Sequence, residues 1–131
     1  MFGVIEHFSN PAEEIAAVQR ALKPGGYLFI YTGDVGSLAA RILRKKWWEY
    51  QGMHLQYFSK QSLDMLLQRF GFEIVEHRLY PVYFSLNSLA QSFGRYPVTR
   101  PLQRILRTKT LRSVHVKLVV SGEMLVISRK L

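Results

Sequence analysis

The sequence predicts an α/β fold, with a parallel sheet packed by helices and an antiparallel strand at its carboxyl end. Three observations predict it. A short apolar run, Phe2 to Ile5, stops at Glu6-His7, as a buried strand does when its carboxyl end opens into a site. A helix follows, and then a continuous apolar, aromatic-rich run, Tyr27 to Thr32, of the kind covered on both faces. Strand, helix, strand in this order implies parallel neighbours joined by a right-handed crossover. The chain closes on alternating Val114, Val116, Leu118 and Val120, a Ser121-Gly122 turn and a second apolar run, Met124 to Ile127, a strand-rich end antiparallel to its neighbours.

The elements between these are signalled locally. Asn10-Pro11-Ala12-Glu13 supplies an N-cap, a proline at the first helical position and a glutamate placed to close a capping box, with Ile15, Val18 and Leu22 on one face. Lys23-Pro24-Gly25-Gly26 ends that helix. Ser37 caps a helix through Leu38, Arg41, Ile42 and Lys45, and Trp47-Trp48 lead into an irregular stretch up to Phe58. Ser59 caps the next helix, in which Leu63, Leu66, Leu67 and Phe70 share a face, and Gly71 supplies the left-handed residue that ends it. A strand from Phe72 to Tyr80 is closed by Pro81, and residues 82–112 form an insert with amphipathic helices around Leu86 to Phe93 and Leu102 to Leu106. The whole of 1–131 reads as one domain carrying that insert.

Composition narrows the function classes. With 48% hydrophobic residues in 131, the chain can bury a core of its own. No apolar run reaches the ~18 residues of a membrane span, and Met1 to His7 lacks the basic flank of a signal peptide, so a cytoplasmic location is expected. The absence of cysteine excludes disulfides and thiolate metal sites, and the spacing of the four histidines along the chain suggests no metal ligand set. The net charge of +9 favours anionic partners. It is concentrated between Arg95 and Lys117, where no acid occurs, whereas Glu6 to Glu14 is net acidic. Arg100, Arg104, Arg107, Lys109 and Arg112 could meet an anionic membrane at its inner face or the phosphates of an acceptor, or they could form an ordinary solvated face. Nucleic acid is disfavoured, because no RNA-binding motif or interleaved aromatic accompanies the charge.

One longer pattern ties these pieces together. Val4-Ile5-Glu6-His7-Phe8-Ser9-Asn10-Pro11, followed by Leu22-Lys23-Pro24-Gly25-Gly26-Tyr27-Leu28, resembles the central signature of class I S-adenosylmethionine-dependent methyltransferases. His54-Leu55, Tyr57-Phe58-Ser59, the helix ending in Gly71-Phe72 and the strand Met124 to Arg129 are also similar to that family, leaving only the basic insert outside the likeness. The resemblance implies part of a Rossmann-like doubly wound sheet, the strands that the family orders fourth, fifth, seventh and sixth, with the seventh antiparallel. It also implies S-adenosylmethionine as cofactor and a small-molecule, sugar or lipid-linked acceptor. The family's glycine-rich turn after the first strand, which lets backbone approach the cofactor, has no counterpart here; Gly33, Asp34 and Gly36 follow a later strand. The expectation is therefore a carboxy-terminal part of such a domain, with Met1 internal to a longer protein, weak or no cofactor binding by this chain, and an exposed amino-terminal strand edge prone to self-association. A non-catalytic assembly or basic surface-binding module is the competing expectation.

The same resemblance nominates residues. Glu6 and His7 would face the cofactor's methyl group and the acceptor, with His7 as general base, or would merely tie down a loop. His54 would lie over the acceptor pocket, as a catalytic group or a structural hydrogen bonder. Trp47, Trp48, Tyr50 and Tyr31 would line that pocket or pack in the core, and Thr32 ends the strand bordering it.

Overall fold

A computed structural model describes residues 1–50, 52–79, 81–85, 115–119 and 122–131. They fall into two compact units, Met1–Tyr80 with Ser121–Leu131, and Pro81–Val120. In the first unit the apolar run after Gly26 becomes strand β1 (Tyr27–Gly33). It alternates: Leu28, Ile30 and Thr32 are buried, while Tyr27 and Phe29 face solvent. The expectation of cover on both faces is thus corrected. Only one face of β1 meets the core, which is built from Ile15 of α1 (Pro11–Ala21), Leu63 and Leu67 of α3 (Lys60–Arg69), and Met124 and Val126 of the last strand.

That last strand, β5 (Glu123–Lys130), lies between β1 and β2 (Phe72–Arg78) and is antiparallel to both. The unit is an α/β arrangement with a small antiparallel sheet. The expected parallel strand from Phe2 to Ile5 does not form. Its pairing with β1 is one parallel bridge, Phe2 to Tyr31, held by Gly3 N–H on the Tyr31 carbonyl at 2.9 Å and Tyr31 N–H on the Met1 carbonyl at 2.9 Å. Gly3, at φ 61°, then turns the backbone away, and Ile5–His7 close a 3-10 turn. A left-handed residue one step into a strand ends its ladder.

The expected N-caps form at two helices and not at a third. Ser37 Oγ accepts the Ala40 N–H at 3.1 Å at the head of α2 (Leu38–Leu43). Ser59 and Ser62 form a reciprocal capping box on α3, and Gly71 follows it at φ 77°. Asn10 makes no side-chain cap; α1 begins instead on the fixed φ of Pro11, with Glu13 and Glu14 in its first turn complementing the helix dipole. α2 does not reach Lys45, because Arg44 adopts φ 49° and the chain tightens into a 3-10 turn, Arg44–Lys46.

In the second unit β3 (Pro81–Ser85) pairs antiparallel with β4 (His115–Val119), from Pro81 opposite Val119 to Ser85 opposite His115. Pro81 therefore opens a strand as well as following one, which its missing N–H permits at a first strand position. The expected helices of the insert, and Arg100, Arg104, Arg107, Lys109 and Arg112, lie outside the described residues. No helix among the described residues is long and apolar enough to cross a membrane.

Candidate functional site

The carboxyl end of β1 is where chemistry gathers. Thr32, buried on the core face of that strand, donates its hydroxyl to Glu6 Oε2 at 2.9 Å and fixes a carboxylate that is itself buried. The 3-10 turn that carries Glu6 also carries His7, whose ring is part exposed and whose Nε2 stands 4.0 Å from Glu6 Oε1.

The irregular stretch before α3 is drawn to the same place by backbone bonds. Leu55 N–H and Gln56 N–H both donate to the Glu6 carbonyl, at 2.8 and 3.0 Å. This sets the His54 ring against that of His7, with centroids 4.9 Å apart and planes at 76°. Each imidazole is held from behind. His7 Nδ1 donates to the Met53 carbonyl at 3.0 Å, and His54 Nδ1 to the Glu49 carbonyl at 2.7 Å, with Glu49 Oε2 3.7 Å from the same nitrogen. A carbonyl oxygen can only accept, so both rings carry their proton on Nδ1 when neutral and present a lone pair on Nε2.

A cavity of about 260 Å³ opens here, lined by Glu6, His7, Tyr31, Thr32, Glu49, His54 and Glu123, with Gly3 and Gly33. Gly33 is needed for close approach, since a Cβ there would sit 2.7 Å from Glu49 Cγ. Three of the chain's nine acidic residues thus face one small space in a protein of net charge +9. Burial, and secondarily the Glu6 carboxylate, raises the Glu123 carboxyl to about 7, and Trp48 Nε1 donates to its Oε1 at 3.2 Å. Burial also raises Glu49, opposed by His54 and His7 and reinforced by Glu6. A second cavity of about 430 Å³, which Glu123 also lines, is bounded by Asp34, Ser37, Arg41, Ser59 and Lys60 among others.

The nominated residues separate into two groups. Glu6, His7, His54, Tyr31 and Thr32 meet at the smaller cavity. Trp47, Trp48 and Tyr50, read as pocket-lining, instead form an aromatic group: Trp47 lies 6.2 Å from Trp48 and 5.1 Å from Tyr50, centroid to centroid, and neither cavity is lined by any of the three. Trp47 is buried, and Gly122 leaves the space it and Trp48 fill. Glu49 and Glu123 were missed by the sequence reading. An acid following two tryptophans, and one opening an apolar strand, are the only signals that could have flagged them.

The sequence pattern of the methyltransferase domain family matches residues 1–77. The chain belongs to that family, as a class I methyltransferase domain member covering part of the fold. Members of this family use S-adenosylmethionine. Among solved structures, a protein of Bacillus halodurans C-125 provisionally assigned as a methyltransferase is 20% identical, with a TM-score of 0.56 over 98% of this chain and 66% of its own. A SAM-dependent methyltransferase of Thermotoga maritima is 20% identical, with a TM-score of 0.54 over 99% of this chain and 53% of its own. The [4+2]-cyclase SpnF is 17% identical, with a TM-score of 0.51 over 98% and 48%. This methyltransferase-family chain therefore spans about half to two thirds of the length of the structures it resembles. Those likenesses concern the fold, which by itself does not assign a reaction. No curated protein sequence matches the chain.

Proposed function

We propose that this methyltransferase-family chain supplies the acceptor side of a site for S-adenosylmethionine-dependent methyl transfer to a small-molecule, sugar or lipid-linked acceptor. The observation that carries the reading is the meeting of Glu6, His7 and His54 around one cavity at the carboxyl end of β1, where open α/β sheets place their ligands. In family terms β1, β5 and β2 stand as the fifth, seventh and sixth strands, with Met1–Gly3 at the place of the fourth. Methyl transfer is an in-line displacement at the sulfonium, so the protein's task is to align the acceptor and exclude water. A lone pair on Nε2 of His7 or His54 can take the proton of an acceptor hydroxyl as its oxygen attacks, and Glu6, anchored by Thr32, stabilises the imidazolium that results.

Titration of the chain with S-adenosylhomocysteine, followed through the imidazole NMR signals of His7 and His54, tests this. Weak, saturable shifts of both signals are expected, together with label transfer from methyl-labelled S-adenosylmethionine to a phenolic or sugar acceptor that Glu6→Gln abolishes. Unmoved signals and no transfer would defeat the reading for this chain. A second reading, an assembly module, is favoured by the uncovered face of β1, where Tyr27 and Phe29 are exposed, and by its outer edge, where the pairing with Phe2 is one bridge long. Its test is solution mass: a dimer that Phe29→Lys converts to monomer is expected, and a monomeric parent chain would remove it.

A further inference from the structure

We propose that Glu6, His7 and His54 form a binding site for a divalent first-row transition-metal ion. One donor atom from each of the three lies within 4.8 Å of the others, the only such grouping of three among the described residues. Three ligands of one tetrahedral ion, each ~2.1 Å from it, stand ~3.4 Å apart, so the group must draw together by about 1.4 Å on binding. His7, whose side chain is part exposed, can make that movement by pivoting about its hydrogen bond to the Met53 carbonyl.

The hydrogen bonds argue for the site more strongly than proximity does. Imidazole ligands of metals donate their second nitrogen to a carbonyl or carboxylate, which fixes ring and tautomer. Both rings here do so: His7 through Nδ1 to the Met53 carbonyl, and His54 through Nδ1 to the Glu49 carbonyl, with the Glu49 carboxylate behind. The third member is treated alike, since the Thr32 hydroxyl occupies Glu6 Oε2 and leaves Oε1 turned toward His7 Nε2 at 4.0 Å. What remains unused on each residue is the atom that would bind an ion: two Nε2 lone pairs and one carboxylate oxygen.

Two imidazoles and a carboxylate suit zinc, cobalt, iron or manganese better than calcium or magnesium. Three protein ligands would leave positions open, and Tyr31 and Thr32 line the same cavity. On the methyl-transfer reading of the preceding subsection, and only on it, those positions would hold the acceptor's oxygen and lower the pKa of its hydroxyl. The ion site itself does not depend on that reading.

The test is titration of the tag-free, chelator-stripped chain with cobalt(II), read by the visible d–d absorption of the bound ion. One equivalent per chain is expected. His7→Ala and His54→Ala should each weaken it at least tenfold, as should Thr32→Val through the loss of Glu6 anchoring, with circular dichroism showing each variant folded. His77→Ala, which removes an imidazole paired with Asp64 at 3.0 Å outside the group, should bind as the parent does. Absence of saturable cobalt absorption in the parent chain, or affinity equal in the parent, His7→Ala and folded Thr32→Val, would overturn the proposal. Cobalt bound without S-adenosylhomocysteine would uphold the ion site and count against methyl transfer by this chain; the nucleoside bound without cobalt would do the reverse.

Discussion

Thr32 holds Glu6 by a single buried hydrogen bond of 2.9 Å, so the pair can be broken from the neutral side. Thr32→Val keeps the shape and leaves a buried carboxylate oxygen without its donor, which costs about 1–3 kcal/mol. Urea unfolding should show that loss, and an unmoved midpoint would mean that water replaces the hydroxyl. Glu123 provides the pH dependence. Its folded pKa, about 7, lies above the ordinary 4.5, because burial and the Glu6 charge disfavour ionisation. The native state keeps that proton where the unfolded chain has lost it, so the stabilisation is complete below pH 4.5 and falls as pH rises to about 7. With chelator present, melting temperature should decline across that window, and Glu123→Gln should flatten the decline. Equal slopes in the two proteins would place the titration elsewhere. Of these residues Glu6 and Thr32 were visible in the sequence as strand-end polar groups; Glu123 was not, since its pKa comes from neighbours that the chain order does not reveal.

Among elements, the junction between the Trp47-Trp48 stretch and β5 is tightly built. A Cβ on Gly122 would lie 2.5 Å from Trp48 Cζ2 and 3.2 Å from Trp47 Nε1, so Gly122→Ala forces the indoles aside. Overpacking of this kind costs about 1–3 kcal/mol. Because Trp48 also donates to Glu123, the substitution should change tryptophan fluorescence as well as lower the melting temperature. Unchanged emission would show that the ring pair has room to yield. The helices were easier to read: their apolar faces repeat locally, and Ser37, Ser59 and Gly71 act on the backbone within a turn of themselves. The Phe2 to Ile5 run misled because a strand needs a neighbour along its whole length, and Gly3 ends the contact with β1 after one bridge.

For the molecule as a whole, β5 is the keystone of the first unit. It lies between β1 and β2, contributes Met124 and Val126 to the core, and its Lys130 Nζ donates to the carbonyls of Gln19 and Leu22 where α1 ends, at 2.6 and 2.8 Å. A chain ending at Gly122 should therefore lose cooperative unfolding altogether, although it retains the entire span that carries the family pattern. Cooperative melting of that truncated chain would show that β1 and β2 can pair without β5.

The sequence by itself determined the family, the helices, the caps at Ser37 and Ser59, the two strands that follow Gly26 and Gly71, and the polar pair Glu6-His7 ahead of the first helix. These are properties of neighbouring residues, written in short periodicities and in a signature that is continuous along the chain. Only the tertiary structure decided that β1 has one covered face and that Glu49 and Glu123 join Glu6, His7 and His54 around one cavity. Those outcomes depend on contacts between distant segments, made by packing and by backbone bonds such as those from Leu55 and Gln56 to Glu6, and no spacing along the sequence encodes them.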